Sequence, residues 1–133
     1  MTNRLQRATS APEPSAPGVM IREKLSGTAR HASMLLSADS NAIFRRRSSD
    51  DCNAGCDTTS TSVSSISAPY WVKLVRSGNT FSGYRSSDGV NWQLVDTATI
   101  SMSSNVYVGL AVTNYSSTAQ FTATLDNVTA PVP

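Results

Sequence analysis

The stretch PYWVKLVRSGNTFSGYRSSDGVNW, residues 69–92, decides the fold, because apolar residues recur at every second position along its first half. Val72 and Leu74 alternate there with Trp71 and Lys73. Successive side chains of a β-strand point to opposite faces, so this alternation predicts a strand with one buried face and one exposed face.

Two turn signals divide the stretch into hairpins. Gly78-Asn79 fits a two-residue turn between strands, and Asp88-Gly89 ends the strand that follows. Between the turns, Tyr84 shares a face with Ser82 and Ser86, which predicts that the tyrosine faces solvent. In SSDGVNW the aspartate can accept hydrogen bonds from backbone N–H groups, the glycine supplies a positive φ, and the tryptophan packs beneath the turn. We interpret this segment as a fastener of the hairpin.

The rest of the chain repeats the pattern, with a strand about every ten residues and no helical period. Such spacing is typical of an all-β sandwich or barrel with antiparallel strands. The Ser/Thr tract 57–67 predicts a loop. After the Asp88-Gly89 turn, NWQLVDTATI (91–100) is a further predicted strand. The other predicted strands are GVMIREKL (18–25) paired with RHASMLLS (30–37), then NAIFRRR (41–47), and NVYVGLAVT (105–113) paired with AQFTATLDNV (119–128).

Composition limits the class of protein. A chain of 133 residues forms one domain, and its 22 serines and 14 threonines predict a hydroxyl-rich surface of the kind seen on secreted β proteins. The net charge of +2 is too small to indicate nucleic-acid binding. The chain contains no run of 18 apolar residues that could span a membrane.

We predict a leader or linker over residues 1–17 and a β-sandwich domain over residues 18–130. The leader is rich in Pro, Ser and Ala and lacks the apolar middle of a signal peptide. If the protein is exported, its signal would lie upstream of this sequence.

The loop DCNAGCDTTSTS contains both cysteines, Cys52 and Cys56. Three intervening residues could close a small disulfide ring in an oxidising compartment, and two free thiols are the alternative. A zinc site would need two further ligands, and His31 is the only histidine. No cofactor is expected, although calcium is left open. Its least unfavourable candidate site is the cluster Asp50, Asp51, Asn53 and Asp57.

The segments PGVMIREKL, RHASMLLSADSNAIFRRR and PYWVKLVRSGNTFSGYRSSDGVNWQLV resemble the concanavalin A-like (laminin-G-like) jelly-roll domains. The resemblance covers residues 17–128, and SSDGVNW also resembles a shortened Asp-box turn. The resemblance to jelly-roll domains implies an antiparallel β-sandwich appended to a secreted bacterial glycoside hydrolase or cell-surface protein. Domains of this kind bind carbohydrate or join other domains.

The chain departs from the family pattern at its start, where relatives carry additional residues with an opening strand or two. A sheet without those strands would leave an unpaired edge, so we predict a homodimer formed by edge pairing or strand exchange. The cysteine loop is a second departure, because relatives have Gly and Ser there.

Sugar-binding sites combine aromatic rings, which stack on the sugar, with polar groups that hydrogen-bond its hydroxyls. Tyr84 and the loop residue Tyr115 are candidate contacts, together with Tyr70 and Trp71, although core or turn packing is the alternative for Trp71 and Trp92. Four residues from successive strands could line a polar groove on one sheet face, or could be ordinary outward-facing residues: Arg22, His31, Arg45 and Lys73.

Within the basic cluster, Arg45, Arg46 and Arg47 alternate faces, so at most two could contact one ligand. Tyr107 is assigned a structural role.

No catalytic pattern emerges from the sequence. The alternating E-x-D-x-E strand of laminarinase-like members of this fold is absent, and the only glutamates are Glu13 and Glu23. The single His31 has no evident activated serine partner. We therefore expect a non-catalytic carbohydrate-binding module, with a structural or self-associating β-sandwich as the alternative. A small hydrolase using Asp88 or Glu23 is a third hypothesis.

Overall fold

The computed structural model describes residues 2–8, 15–37, 40–49, 59–66, 69–114 and 123–130. These residues form ten β-strands and no helix. The strands are β1 (Thr2–Ala8), β2 (Ser15–Arg22), β3 (His31–Leu36), β4 (Asn41–Arg47), β5 (Thr59–Ser64), β6 (Tyr70–Ser77), β7 (Thr80–Ser86), β8 (Gln93–Thr99), β9 (Tyr107–Asn114) and β10 (Ala123–Thr129).

The strands form two five-stranded sheets, and every described pairing is antiparallel. Sheet A has the order β10-β1-β6-β7-β8, and sheet B has the order β5-β4-β3-β2-β9. The two sheets pack against each other, with β3 facing β6 and β7, and β4 facing β8. The prediction of an all-β, two-layer antiparallel protein is therefore confirmed.

The core lies between the sheets and is built from alternate residues of the facing strands. Full burial of a Val, Leu, Phe or Met side chain stabilises the fold by about 1.5–3 kcal/mol. The core includes the fully buried strand residues Val19, Met34, Leu36 and Phe44 from sheet B, and Val72, Leu74 and Phe81 from sheet A.

Gly83 in β7 allows the sheets to approach closely. A Cβ atom at this position would lie 2.6 Å from Cδ2 of Phe44 and 2.9 Å from Sδ of Met34, both in sheet B. Any larger residue at 83 would therefore require the side chains of Phe44 and Met34 to move or the sheets to separate.

The segment between β8 and β9 closes one end of the core. Ile100 and Met102 are buried. The backbone carbonyl of Ser101 accepts a hydrogen bond from Arg30. Arg76 donates to the carbonyls of Met102 and Ser103, at 2.7 and 2.6 Å. Apolar burial and these hydrogen bonds together fix the path of the chain from sheet A to sheet B.

The structure corrects the prediction for the start of the chain. Thr2–Ala8 forms β1, which pairs with β10 on one side and β6 on the other, and Ser15–Arg22 forms β2. Part of the predicted leader over residues 1–17 is thus strand, because the backbone of β1 completes hydrogen bonds to two neighbours. The reason given for a dimer, a sheet lacking its opening strand, no longer applies.

Two strand assignments also change. Thr59–Ser64, in the tract predicted as a loop, is β5 and pairs with β4. The last two strands do not pair with each other as predicted, because β9 pairs with β2 and β10 pairs with β1. Alternation along a strand defines its two faces but not its partner, so the sequence pattern could not make this choice.

Candidate functional site

Two aromatic rings and one ammonium group meet on the outer face of sheet A. Lys73 in β6 lies directly opposite Tyr84 in β7, so their side chains share a face, and Val72 and Leu74 point to the core instead. The Nζ atom of Lys73 lies 4.8 Å from the ring centroid of Tyr84 and 4.3 Å from that of Trp92. Both distances are within the range of cation–π attraction.

The turn before Trp92 is held by a dense set of hydrogen bonds. Oδ1 of Asp88 accepts from the backbone N–H groups of Val90 and Asn91, each at 2.8 Å, and Oδ2 accepts from Nδ2 of Asn91 at 2.7 Å. The hydroxyl of Ser86 donates to Asp88 and accepts from the N–H of Gly89. These bonds hold the pKa of Asp88 well below its usual range. The turn therefore fixes the chain immediately before Trp92.

The tryptophan beneath this turn is Trp71, not the Trp92 of the segment itself. Gly89 has a φ of 78° and its Cα lies so close to Trp71 that a Cβ would come within 2.7 Å of the indole. Trp92 is left to contact Lys73. The sequence prediction of a fastened turn with a positive-φ glycine is confirmed, and the identity of its tryptophan is corrected.

Apolar side chains extend this surface beside the rings. Leu94, directly opposite Tyr84 in β8, is 54% exposed, and Val75 of β6 is 39% exposed. The hydroxyl groups of Ser82 and Thr97 lie 3.1 Å apart on the same face. We call the surface formed by Lys73, Tyr84, Trp92 and Leu94 the sheet A platform. It offers flat apolar rings with one cation among them.

A second polar surface crosses the outer face of sheet B. Tyr107, Arg22, His31 and Arg47 are paired in turn across β9, β2, β3 and β4, so they form one row. Arg45 shares this face, two residues before Arg47, whereas Arg46 points to the inner face and pairs with Asp96. The predicted alternation of the three arginines is confirmed.

His31 lies buried in the middle of this row, and its Nδ1 has no hydrogen-bond partner. Burial, followed by the positive charges of Arg22, Arg47 and Arg45, lowers the pKa of His31 to about 4. Two of these arginines donate hydrogen bonds to the backbone. Arg22 donates to the carbonyls of Lys24 and Ser26, and Arg47 donates to the carbonyl of Gly27. The row therefore holds down the loop between β2 and β3.

The predicted groove of four residues is only partly assembled. Arg22, His31 and Arg45 share the outer face of sheet B, but Lys73 lies on the outer face of sheet A. Tyr70 turns toward the core, where its hydroxyl accepts a hydrogen bond from Arg85 at 3.2 Å. Tyr107, assigned a structural role, is 55% exposed.

Some predicted sites fall outside the described residues: Tyr115, Cys52, Cys56 and the acidic cluster Asp50, Asp51, Asn53 and Asp57. Among the residues that the structure describes, no group of three metal-ligating side chains occurs. Trp92, an aromatic residue for which core or turn packing was the alternative, lies beside Lys73 on the sheet A platform. The strand register indicates this position, because the turns at Gly78-Asn79 and Asp88-Gly89 bring Trp92 back toward Lys73.

Comparison with family models, curated proteins and solved structures found no match. In the described part of the chain there is no helix long and apolar enough to cross a membrane.

Proposed function

We propose that this protein is a non-catalytic carbohydrate-binding module and that the sheet A platform is its binding face. The observation that carries the proposal is the approach of the Tyr84 and Trp92 rings to a single ammonium group, that of Lys73. Aromatic faces stack on the apolar face of a sugar ring, and an ammonium group donates hydrogen bonds to sugar oxygens.

The platform is held in place before any ligand arrives. Tyr84 is in the middle of β7, with β6 on one side and β8 on the other, and the chain before Trp92 is fixed by the Asp88 turn. A preformed site loses little conformational entropy on binding, which favours useful affinity from a small contact area.

The described carboxylates support a binding role over hydrolysis. Asp88 is committed to its turn, and Asp96 accepts hydrogen bonds from Thr61 and from its own neighbour Thr97. Glu23 accepts from the backbone N–H of Ser103. Glycosidases place two carboxyl groups across the scissile bond, and none of these three stands on the platform.

The proposal extends to the parent protein expected from the sequence, a secreted bacterial protein that acts on polysaccharides and carries this domain as a concanavalin A-like jelly roll. Two packed antiparallel sheets support that architecture. The hydroxyl-rich strand β5, TSTSVS, supports an extracellular setting.

Affinity electrophoresis in gels containing one soluble polysaccharide each tests the binding proposal. The wild-type protein should be retarded by at least one glycan, and Tyr84→Ala and Trp92→Ala should each weaken retention about tenfold or more. Tyr107→Ala is the matched control, because Tyr107 is exposed on the other sheet. Melting curves confirm that each variant is folded. The proposal would be refuted if no neutral or acidic glycan retarded the protein. It would also be refuted if Tyr84→Ala, Trp92→Ala and Tyr107→Ala reduced retention equally.

One observation favours self-association as a second function, and it concerns the edge strand β9. Its sequence, YVGLAVTN, contains no charged residue, and within the described sheet it has β2 as its single neighbour. Val108, Leu110 and Val112 are 47–56% exposed, although their respective partners Ile21, Val19 and Pro17 are buried. Natural edge strands are usually protected by charge, proline or a bulge.

We propose that β9 docks on β9 of a second copy of this chain around a two-fold axis. An uncharged strand can meet its own copy without like-charge repulsion. The edge strands β8 and β10 each contain an aspartate, and the uncharged edge strand β5, TSTSVS, consists mainly of hydroxyl-bearing residues. Next to β9, an apolar groove lined by Met20, Leu25 and Tyr107 would enlarge the contact.

Size-exclusion chromatography with light scattering tests this second function. The wild-type chain should elute as a dimer, and Leu110→Lys should convert it to a monomer of 14.1 kDa. Val90→Lys is the control, because Val90 is 78% exposed in the Asp88 turn, away from β9. A monomeric wild-type protein at high micromolar concentration would exclude the dimer without affecting the carbohydrate proposal.

A further inference from the structure

The ammonium group of Lys73 has aromatic neighbours but no hydrogen-bond acceptor among the described residues. It carries three N–H donors, and its contacts are with the ring faces of Tyr84 and Trp92. No ion pair or hydrogen bond to an oxygen atom joins it to the part of the chain that the structure describes. Its donors are therefore available to an acceptor supplied by a ligand.

The described carboxylate in the turn beside the platform makes no hydrogen bond or ion pair with Lys73. Both oxygens of Asp88 are occupied by hydrogen bonds from Ser86, Val90 and Asn91. The platform thus combines stacking rings with an ammonium group that has no oxygen acceptor among the described residues.

Burial lowers the pKa of Lys73, because the neighbouring groups remove water from the charged ammonium group. A bound anion would offset this desolvation cost by direct attraction to the ammonium group. A neutral sugar would offset less of the cost, because it carries no net charge. Where water is partly excluded, a charge-assisted hydrogen bond is about twice as strong as a neutral one.

We infer that the sheet A platform binds an anionic polysaccharide, in which a carboxylate or sulfate group accepts hydrogen bonds from Lys73 while the sugar ring stacks on Tyr84 or Trp92. This inference rests on the proposed carbohydrate-binding function and names its ligand class. Carboxylate and sulfate share the chemistry that Lys73 recognises.

Affinity electrophoresis with matched glycans tests the inference. Gels contain polygalacturonate, a sulfated galactan, a neutral β-glucan or a neutral galactomannan, and one further gel contains single-stranded DNA. We expect at least tenfold stronger retention by one of the two anionic polysaccharides than by the neutral ones. Comparison of the polygalacturonate and sulfated galactan gels identifies which anion is preferred.

Variants at Lys73 supply the second arm. Lys73→Gln should reduce retention by the anionic glycan about tenfold, and Lys73→Arg should keep most of it. Lys24→Gln is the control for net charge, because Lys24 is an exposed residue of the loop between β2 and β3. Retention should also decrease as salt rises from about 50 to 500 mM, since salt screens partly exposed charges.

The outcomes separate this inference from the proposed function. Equal or tighter retention by a neutral glycan, unchanged by Lys73→Gln, would overturn the anionic ligand and leave the carbohydrate-binding function standing. Retention by DNA alone would overturn both, because stacking rings with a cation also suit single-stranded nucleic acid. The absence of any retention would likewise overturn both.

Discussion

The indole ring of Trp71 lies directly beneath Gly89, so that a Cβ on this glycine would come within 2.7 Å of the ring atom Cε2. Gly89 also has a φ of 78°, a conformation that residues with a side chain adopt at a cost. Sterics and backbone conformation therefore both require glycine at this position, and each can be measured separately.

Gly89→Ala should destabilise the protein more than Gly78→Ala. Gly78 has a φ of 60° but no neighbouring atom within 4 Å of a would-be Cβ, so its substitution carries only the conformational cost of about 1–2 kcal/mol. Gly89→Ala adds the clash with Trp71, worth about 1–3 kcal/mol. Urea unfolding gives both values. Equal losses would mean that the indole moves away freely.

Gly83→Ala should destabilise the protein by about 1–3 kcal/mol, because the added methyl group would meet the ring of Phe44 across the sandwich. The substitution Phe44→Leu leaves room for that methyl group, so the double variant should lose less than the sum of the two single variants. A double-mutant cycle in urea measures this coupling. Strict additivity would show that Gly83 and Phe44 do not limit the sheet separation.

Acidification should weaken the fold between pH 6.5 and about 4 through His31. The folded-state pKa of about 4 lies below the ordinary value of 6.5, so in this interval the unfolded chain binds a proton that the folded chain does not. The stabilisation is fully present above pH 6.5 and is lost as pH falls toward 4, by about 3 kcal/mol at most. Unfolding free energies measured across this range test it.

His31→Gln is the matched variant, because it removes the titrating group and keeps a polar side chain between Arg22 and Arg47. Its unfolding free energy should change less between pH 6.5 and 4 than that of the wild-type protein. Identical slopes for the two proteins would assign the acid sensitivity in this interval to other groups.

A polar contact between Asp96 and Arg46 joins the two sheets at their edge, and the two side chains should show a measurable coupling energy. Oδ2 of Asp96 in β8 lies 3.5 Å from Nη1 of Arg46 in β4, and it accepts a hydrogen bond of 2.6 Å from the hydroxyl of Thr61 in β5. These bonds help to lower the pKa of Asp96. Because both charged side chains are partly exposed, we expect a coupling energy of about 0.5–1 kcal/mol.

The cycle compares Arg46→Met, Asp96→Asn and the double variant by thermal or urea unfolding. The coupling should shrink at high salt, as expected for partly exposed charges. Thr61→Val serves as a further variant that removes the hydrogen bond and retains the ion pair. A coupling energy near zero at low salt would show that the contact adds no stability.

Several features could be predicted from local sequence. The two-residue turn at Gly78-Asn79 sets the register of its hairpin, and counting back from that turn places Lys73 opposite Tyr84. Alternation along β6 and β7 then assigns the inner and outer faces. Turn chemistry and alternation act over a few residues, so they can be read without knowing the rest of the fold.

The sequence by itself determined the strands from β6 to β8, their faces and the fastened turn at Asp88, because these follow from short-range sterics and hydrogen bonds. The tertiary structure alone decided which strands became neighbours. It placed β1 between β10 and β6, separated Lys73 from Arg22 and His31, and put Trp71 rather than Trp92 beneath Gly89. The physical reason is that alternation gives every strand the same two-faced pattern, and only packing of distant segments selects the partners.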